Sequence, residues 1–163
     1  MTRILALDIS TQNVGWCLGE DGKYEDSGCF SPSGDLWDRL VESAWVWSER
    51  TLSWQWLVDV VAFEEPRGQH HNMDTNIKLG YANGIVLAPF LARGARPMPV
   101  HLQKIKNTGA CKGDVGQRIA ADLVGKESVG PDEADAIGCW LVAWAMVRQE
   151  QLREMADEQN GAY

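Results

Sequence analysis

Residues Ile4-Leu5-Ala6-Leu7-Asp8-Ile9-Ser10-Thr11-Gln12-Asn13-Val14-Gly15-Trp16-Cys17-Leu18-Gly19 decide how the chain begins to fold. An apolar run carries Asp8 near its end, a polar cluster from Ser10 to Asn13 follows, and a second apolar run opens at Val14. Short apolar runs separated by turn-forming residues read as buried strands. Glu20-Asp21-Gly22-Lys23 is a second turn signal and leads into a third run, Tyr24 to Phe30. The chain therefore opens as a three-stranded β-meander.

Beyond the meander, Ser31-Pro32-Ser33-Gly34 breaks the pattern. Leu36, Trp37, Leu40, Val41, Ala44, Trp45 and Trp47 then recur at helical spacing, which predicts a helix from Asp35 to about Leu52. Leu57 to Phe63 is apolar and β-branched, a fourth strand ending at Glu64-Glu65-Pro66. Asp74 to Ala92 has helical periodicity, and its Gly80, Ala82 and Gly84 suit close packing. Pro97 to Leu102 reads as a fifth strand, Gln117 to Val124 as a short helix, and Pro131 to about Met155 as a long one. Pro131 suits a first helical position, and Asp132 and Glu133 a first turn. The order βββ-α-β-α-β-α-α predicts an α/β domain with a mixed sheet. It is expected to occupy residues 1–156, with a polar tail over 157–163.

The 163 residues are 45% hydrophobic, enough for one core without disulfides. Lys and Arg number 15 against 23 Asp and Glu, a formal charge of −8, which argues against a polybasic nucleic-acid coat. Cys17, Cys29, Cys111 and Cys139 stand alone, with no CxxC pair and no His at metal-ligand spacing, so they are expected to be buried free thiols. The N-terminal apolar stretch is too short for a signal peptide, and no uncharged run reaches the ~20 residues that span a bilayer. A soluble cytoplasmic protein is expected.

The acidic residues fall at element ends. Asp8 closes the first strand, Glu64 lies in Val60-Val61-Ala62-Phe63-Glu64-Glu65-Pro66, and Asp132 and Asp135 share one face at the start of the last helix. A carboxylate in an apolar strand is costly unless something compensates it. Several of them converging from separate elements would repel one another unless cations sat between them. Hard oxygen ligands suit Mg²⁺ or Mn²⁺, and a pair of such ions about 4 Å apart is a device for phosphodiester hydrolysis. Taken singly, Asp8 also fits a turn or cap, Asp132 and Glu133 the helix dipole, and Glu64-Glu65 a solvated strand exit.

Between Lys104 and Lys126 lie Lys104, Lys106, Lys112, Arg118 and Lys126 against only Asp114 and Asp122. This locally positive stretch is a candidate backbone-contact face for nucleic acid, which Arg67, Lys78 and Arg3 would extend.

The segments Ile4 to Trp16, Val61 to Pro66, Lys78-Leu79-Gly80-Tyr81-Ala82-Asn83-Gly84, Lys106-Asn107-Thr108-Gly109 and Asp132-Glu133-Ala134-Asp135-Ala136 resemble the RuvC family of Holliday junction resolvases, in order and across nearly the whole chain. The resemblance implies an RNase H-like fold, a central mixed five-stranded sheet flanked by helices, and a Mg²⁺-dependent endonuclease, with Mn²⁺ substituting and two ions per site. It implies a homodimer that nicks two opposed strands of a four-way junction and leaves 5′-phosphate and 3′-hydroxyl ends. Carried over, Asp8, Glu64, Asp132 and Asp135 are the catalytic metal ligands, with Glu65 the rival for the second place and strand register favouring Glu64. Lys112 is the lysine that would offset charge on the scissile phosphate. Lys104, Lys106, Arg118 and Arg67 would contact DNA. A compact chain of this kind would suit a bacteriophage or bacterial protein.

Two features depart from the family pattern. Pro66-Arg67-Gly68-Gln69-His70-His71 holds no aromatic residue where family members place one to wedge the junction open, and Lys106 to Gly113 is short. His70, His71 and His101 read as surface or DNA-contacting residues. Of the eight tryptophans, most are expected in the core and some in a dimer interface, for which the helix from Lys78 to Leu91 is a second candidate. The segment Asp8 to Gly15 also resembles the phosphate hairpin of sugar kinases and actin-like ATPases, but those enclose nucleotide between two such domains. Two rival functions fit the same fold: a non-catalytic junction-binding protein, and a nuclease acting on flaps, other branched DNA or RNA–DNA hybrids.

Overall fold

The computed structural model describes residues 1–53, 56–65 and 73–160. Strands β1 (Arg3–Ile9), β2 (Val14–Glu20) and β3 (Lys23–Phe30) form the meander, followed by α1 (Leu36–Leu52), β4 (Val60–Glu64), α2 (Met73–Ala92) and β5 (Arg96–Val100). Three helices complete the order: α3 (Leu102–Asn107), α4 (Asp114–Val124) and α5 (Pro131–Asn160). The five strands lie in the order β3-β2-β1-β4-β5. The meander pairs antiparallel, whereas β4 runs parallel to β1 and β5 parallel to β4, so the sheet is mixed as expected.

Alternation along the strands divides the core. Ile4, Ala6, Cys17, Val60, Ala62, Met98 and Val100 face a layer made by α3, α4 and α5. Leu5, Leu7, Ile9, Trp16, Leu18 and Val61 face the other way, against Leu40 and Trp47 of α1 and Ala82, Val86 and Phe90 of α2. Nearly every side chain of β1 and β2 is buried because both sheet faces are covered, which explains their almost continuous apolar runs.

Helix α1 starts where Asp35 caps it. Its carboxylate accepts from the Trp37 and Asp38 N–H groups, and the Asp38 carboxylate in turn accepts the Asp35 N–H. Strand β4 begins three residues later than the apolar run suggested. Asp59 ties the strand ends together first: its N–H donates to the Arg3 carbonyl (2.9 Å), and its carboxylate accepts the Arg3 N–H (2.7 Å). Helix α3 is the element that periodicity misses, being a single capped turn and a half: the His101 imidazole accepts the Gln103 N–H at 3.3 Å. Helix α5 runs on to Asn160, past the expected end near Met155.

Of the described tryptophans, Trp16, Trp47 and Trp140 are buried, while Trp37 and Trp45 project from α1 at 64% and 66% exposure. Trp54 lies outside the described residues. The Trp47 ring meets Phe30, Trp56 and Phe90 at 6.0–6.4 Å between centroids, and the Arg50 guanidinium lies over Trp16, Trp47 and Trp56 at 4.6–5.1 Å. All four cysteines are free; Cys17 and Cys139 are buried as expected, whereas Cys29 is exposed and Cys111 half-buried. No helix among the described residues is long and apolar enough to cross a membrane.

The two kinds of tryptophan have different consequences for stability. Trp47→Ala empties a site enclosed on all sides and is expected to cost about 3–5 kcal/mol. Trp45→Ala should change the stability of the isolated subunit by less than about 0.5 kcal/mol. Urea denaturation of the two variants beside the parent protein checks both.

Candidate active site

Asp8 is the last residue of β1 on the α5 face of the sheet, two residues beyond Ala6. Strand β4 runs parallel to β1 with Ala6 opposite Ala62, so Glu64 follows on that same face and its charge bears directly on Asp8. Glu65 alternates to the opposite side; it is exposed, and its N–H donates to the Val100 carbonyl (2.9 Å). The register thus separates two adjacent glutamates that a linear reading ranks only by preference.

The other two acids arrive on α5. Asp8 pairs across the ladder with Gly15 of β2, and the first turn of α5 lies directly on that glycine. A Cβ at residue 15 would stand 2.0 Å from the Asp132 carbonyl oxygen and 2.9 Å from the Glu133 nitrogen. Gly15 is therefore what lets the helix start come down onto the strand carrying the partner of Asp8. Asn13, in the β1–β2 turn, donates from its amide nitrogen to Asp132 Oδ2 at 3.0 Å and orients that carboxylate.

Between these acids stands a lysine. Lys112 Nζ is 3.2 Å from Asp132 Oδ1, 3.2 Å from Asp135 Oδ2 and 3.4 Å from Asp8 Oδ2. Its main-chain N–H donates to Asp135 Oδ1 at 2.8 Å. Burial pushes the Asp8 carboxyl up to about 7; Lys112 works against that shift, and the charges of Asp135, Asp132 and Glu64 add to it. Partial burial disfavours the Lys112 ammonium, yet Asp8 and Asp135 outweigh it and hold the lysine above its usual range. Among the described residues, no three His, Cys, Asp or Glu side chains are gathered, as they stand, into a metal-holding cluster. The chemistry of the donor set nevertheless fits a hard cation: it is all carboxylate, and an ammonium already stands where three of its members meet.

Glu133, between the two aspartates, points away from them as its helical position predicts. It is buried against β3, where Glu133 Oε1 accepts from Ser27 Oγ (2.7 Å) and Lys126 Nζ (2.8 Å), and Lys126 also donates to the Ser27 carbonyl (2.7 Å). This network pins the first turn of α5 from its far side. Lys126 consequently leaves the backbone-contact face on which its charge had placed it. Lys104 and Lys106 on α3 and Arg118 on α4 are exposed, as such a face requires. Lys78 pairs with Asp74, and Arg3 with Glu25. Arg67, His70 and His71 lie outside the described residues, and His101 serves as the α3 cap. Asn13, Gly15 and the Ser27–Lys126–Glu133 network carry no signature that spacing alone reveals, although Asn13 and Gly15 fall inside the first motif.

No family model matches the chain. Its sequence is 29% identical over 153 residues to the crossover junction endodeoxyribonuclease RuvC of Halorhodospira halophila, covering 86% of this chain and 89% of that protein. The chain is RuvC-like. Its fold agrees with that of Thermus thermophilus RuvC, in complex with a Holliday junction substrate (TM-score 0.70, 16% identity, 85% of this chain and 90% of that one). A second Thermus thermophilus RuvC structure agrees as well (TM-score 0.69, 15% identity, 90% and 96%). The mixed sheet and its helical layers are thus the RNase H-like fold of RuvC, as the resemblance implied.

The crowding of negative charge in this site has a measurable sign. Asp8 has a folded-state pKa near 7 against an ordinary 3.8, so the folded state binds more protons between those values and stability falls as pH rises through that window. In metal-free buffer Asp8→Asn is expected to stabilise the protein by about 2 kcal/mol at pH 8 and to add little at pH 4. Equal effects at the two pH values, measured by urea denaturation, would show that the Asp8 charge is not strained. Gly15→Ala is expected to cost about 1–3 kcal/mol through the displaced helix start.

Proposed function

We propose that the chain is a divalent-cation-dependent endodeoxyribonuclease that resolves four-way DNA junctions. It acts as a homodimer that nicks two opposed strands symmetrically, leaving 5′-phosphate and 3′-hydroxyl ends. The observation that carries the reading is the meeting of Asp8, Asp132 and Asp135 around one ammonium, with Glu64 beside Asp8, on a RuvC-like fold. The substrate class comes from the relatives: one is a crossover junction endodeoxyribonuclease, and another is a RuvC bound to a Holliday junction.

In this reading Asp8, Glu64, Asp132 and Asp135 hold Mg²⁺, with Mn²⁺ as substitute, two ions per site. Bound there, such ions supply Lewis acidity for activating water and stabilising the leaving oxygen of a phosphodiester. The remaining work belongs to the chain. Asn13 and Gly15 set where Asp132 stands, and the Glu133–Lys126 pair keeps the helix start from lifting. Lys112 brings positive charge to the place where a scissile phosphate would gain negative charge. Lys104, Lys106 and Arg118, together with Arg67, offer phosphate contacts that position the duplex arms without reading sequence.

The dimer is supported by apolar surface. Trp37, Val41 and Trp45 follow one another at helical spacing along α1, all more than 60% exposed, and Trp37 lies 6.0 Å from Tyr81 of α2. Exposed patches of large apolar side chains are characteristic of association surfaces.

The test is cleavage of a labelled four-way junction in Mg²⁺ or Mn²⁺ beside a duplex, a flap and an RNA–DNA hybrid. Paired symmetric nicks confined to the junction are expected, and each of Asp8→Asn, Glu64→Gln, Asp132→Asn and Asp135→Asn should lower the rate by roughly three orders of magnitude. Glu65→Gln should stay within about threefold of the parent, because its side chain faces the other way. Better cutting of flaps or hybrids would retain the nuclease and overturn the substrate; tight junction binding without cleavage in either metal would leave a binding protein.

A further inference from the structure

Lys112 covers the oxygens that an entering cation needs. Asp132 Oδ2 is engaged by Asn13 and Asp135 Oδ1 by the Lys112 main chain, whereas Asp132 Oδ1, Asp135 Oδ2 and Asp8 Oδ2 all face the Lys112 ammonium at 3.2–3.4 Å. The partners divide the two helix carboxylates: one oxygen of each is tied to the scaffold and the other to a charge on a flexible stem. Among the described residues, Asp8, Asp132 and Asp135 share the one Lys112 ammonium, which leaves a negative excess that draws in a divalent ion. Once there, it would repel an ammonium held on the same oxygens.

The backbone and side chain of Lys112 differ in freedom. The main chain is anchored by Asp135, and the preceding loop packs on α4 so closely that a Cβ at Gly116 would stand 2.2 Å from the Cys111 carbonyl oxygen. The side chain, by contrast, is 54% exposed and can turn outward about its own bonds with no movement of the loop.

From this geometry we infer that Lys112 is a resident counter-ion, which holds the acids together in the metal-free protein and is exchanged outward when a divalent cation binds. The inference rests on the metal-binding reading of the site and adds an order of events to it. Loading the cation releases the ammonium, on a fixed backbone, to the solvent-facing side where an anionic DNA strand arrives. Cation binding would thus compete with Lys112, while DNA, by drawing the lysine outward, would favour cation binding.

Two measurements without DNA test the exchange. Calorimetric titration with Mn²⁺ is expected to show Lys112→Met binding roughly tenfold more tightly than the parent, with Lys112→Arg within about threefold of it. In the unmodified protein, Mn²⁺ should raise the reactivity of the Lys112 amine towards an acylating reagent, mapped by mass spectrometry, while Lys104 and Lys106 stay constant. This second experiment needs no variant to fold. Unchanged or weaker binding by Lys112→Met, or a Lys112 amine that Mn²⁺ leaves equally or less reactive, overturns the exchange and leaves the nuclease reading standing. Failure of the parent protein to bind Mn²⁺ at all overturns the metal site and the exchange together.

Discussion

The first turn of α5 rests on β2 with no side chain between them, and the rest of the site depends on that contact. It is possible because residue 15 is glycine, and because that residue lies opposite Asp8 in the ladder. The helix start is held from three directions: Gly15 below, Asn13 on Asp132, and the buried Glu133 clasped by Ser27 and Lys126. A helix fixed this firmly delivers Asp132 and Asp135 to the strand acids irrespective of how strongly the four charges repel one another.

That repulsion is the counterpart of the contact. Asp8 is driven towards its protonated form by burial and by its acidic neighbours, and the partly exposed Lys112 offsets only part of that shift. A fold selected for stability alone would not assemble such a cluster, since each carboxylate costs desolvation and gains little from the others. Stability lost in one corner is offset by a core with both sheet faces covered and with Trp47 wholly enclosed beneath β3 and α2. The scaffold is strong in its core and electrostatically strained where the acids meet.

Most of the architecture was legible because it rests on local patterns. Strand runs, the polar turn at Ser10 to Asn13, helical periodicity and Pro131 at a helix start depend on neighbours within a few residues, and five strands in the right order follow from them. Helix α3 was missed because six residues hold too little periodicity to register, and the start of β4 was misplaced because Asp59 is bound by Arg3, far away in the chain. The acids were legible as a motif, yet Glu64 and Glu65 are equal in composition and differ only in which sheet face their strand presents.

Lys126 and Lys112 mark the boundary most clearly. Both are lysines in one locally positive stretch, and only the family resemblance, not their own spacing, set Lys112 apart. The tertiary structure sends the first to Glu133, where it braces a helix, and the second among three carboxylates. By itself the sequence determined the elements, their order and the residue types available for chemistry, because hydrophobic period and turn preference act over short range. Which charges meet, which oxygens remain exposed to an incoming ion, and which glycine admits a helix to a strand were decided only by the fold. Two of those contacts, Asn13 with Asp132 and Lys112 with Asp8, join residues more than a hundred positions apart, and at that range only packing determines what touches what.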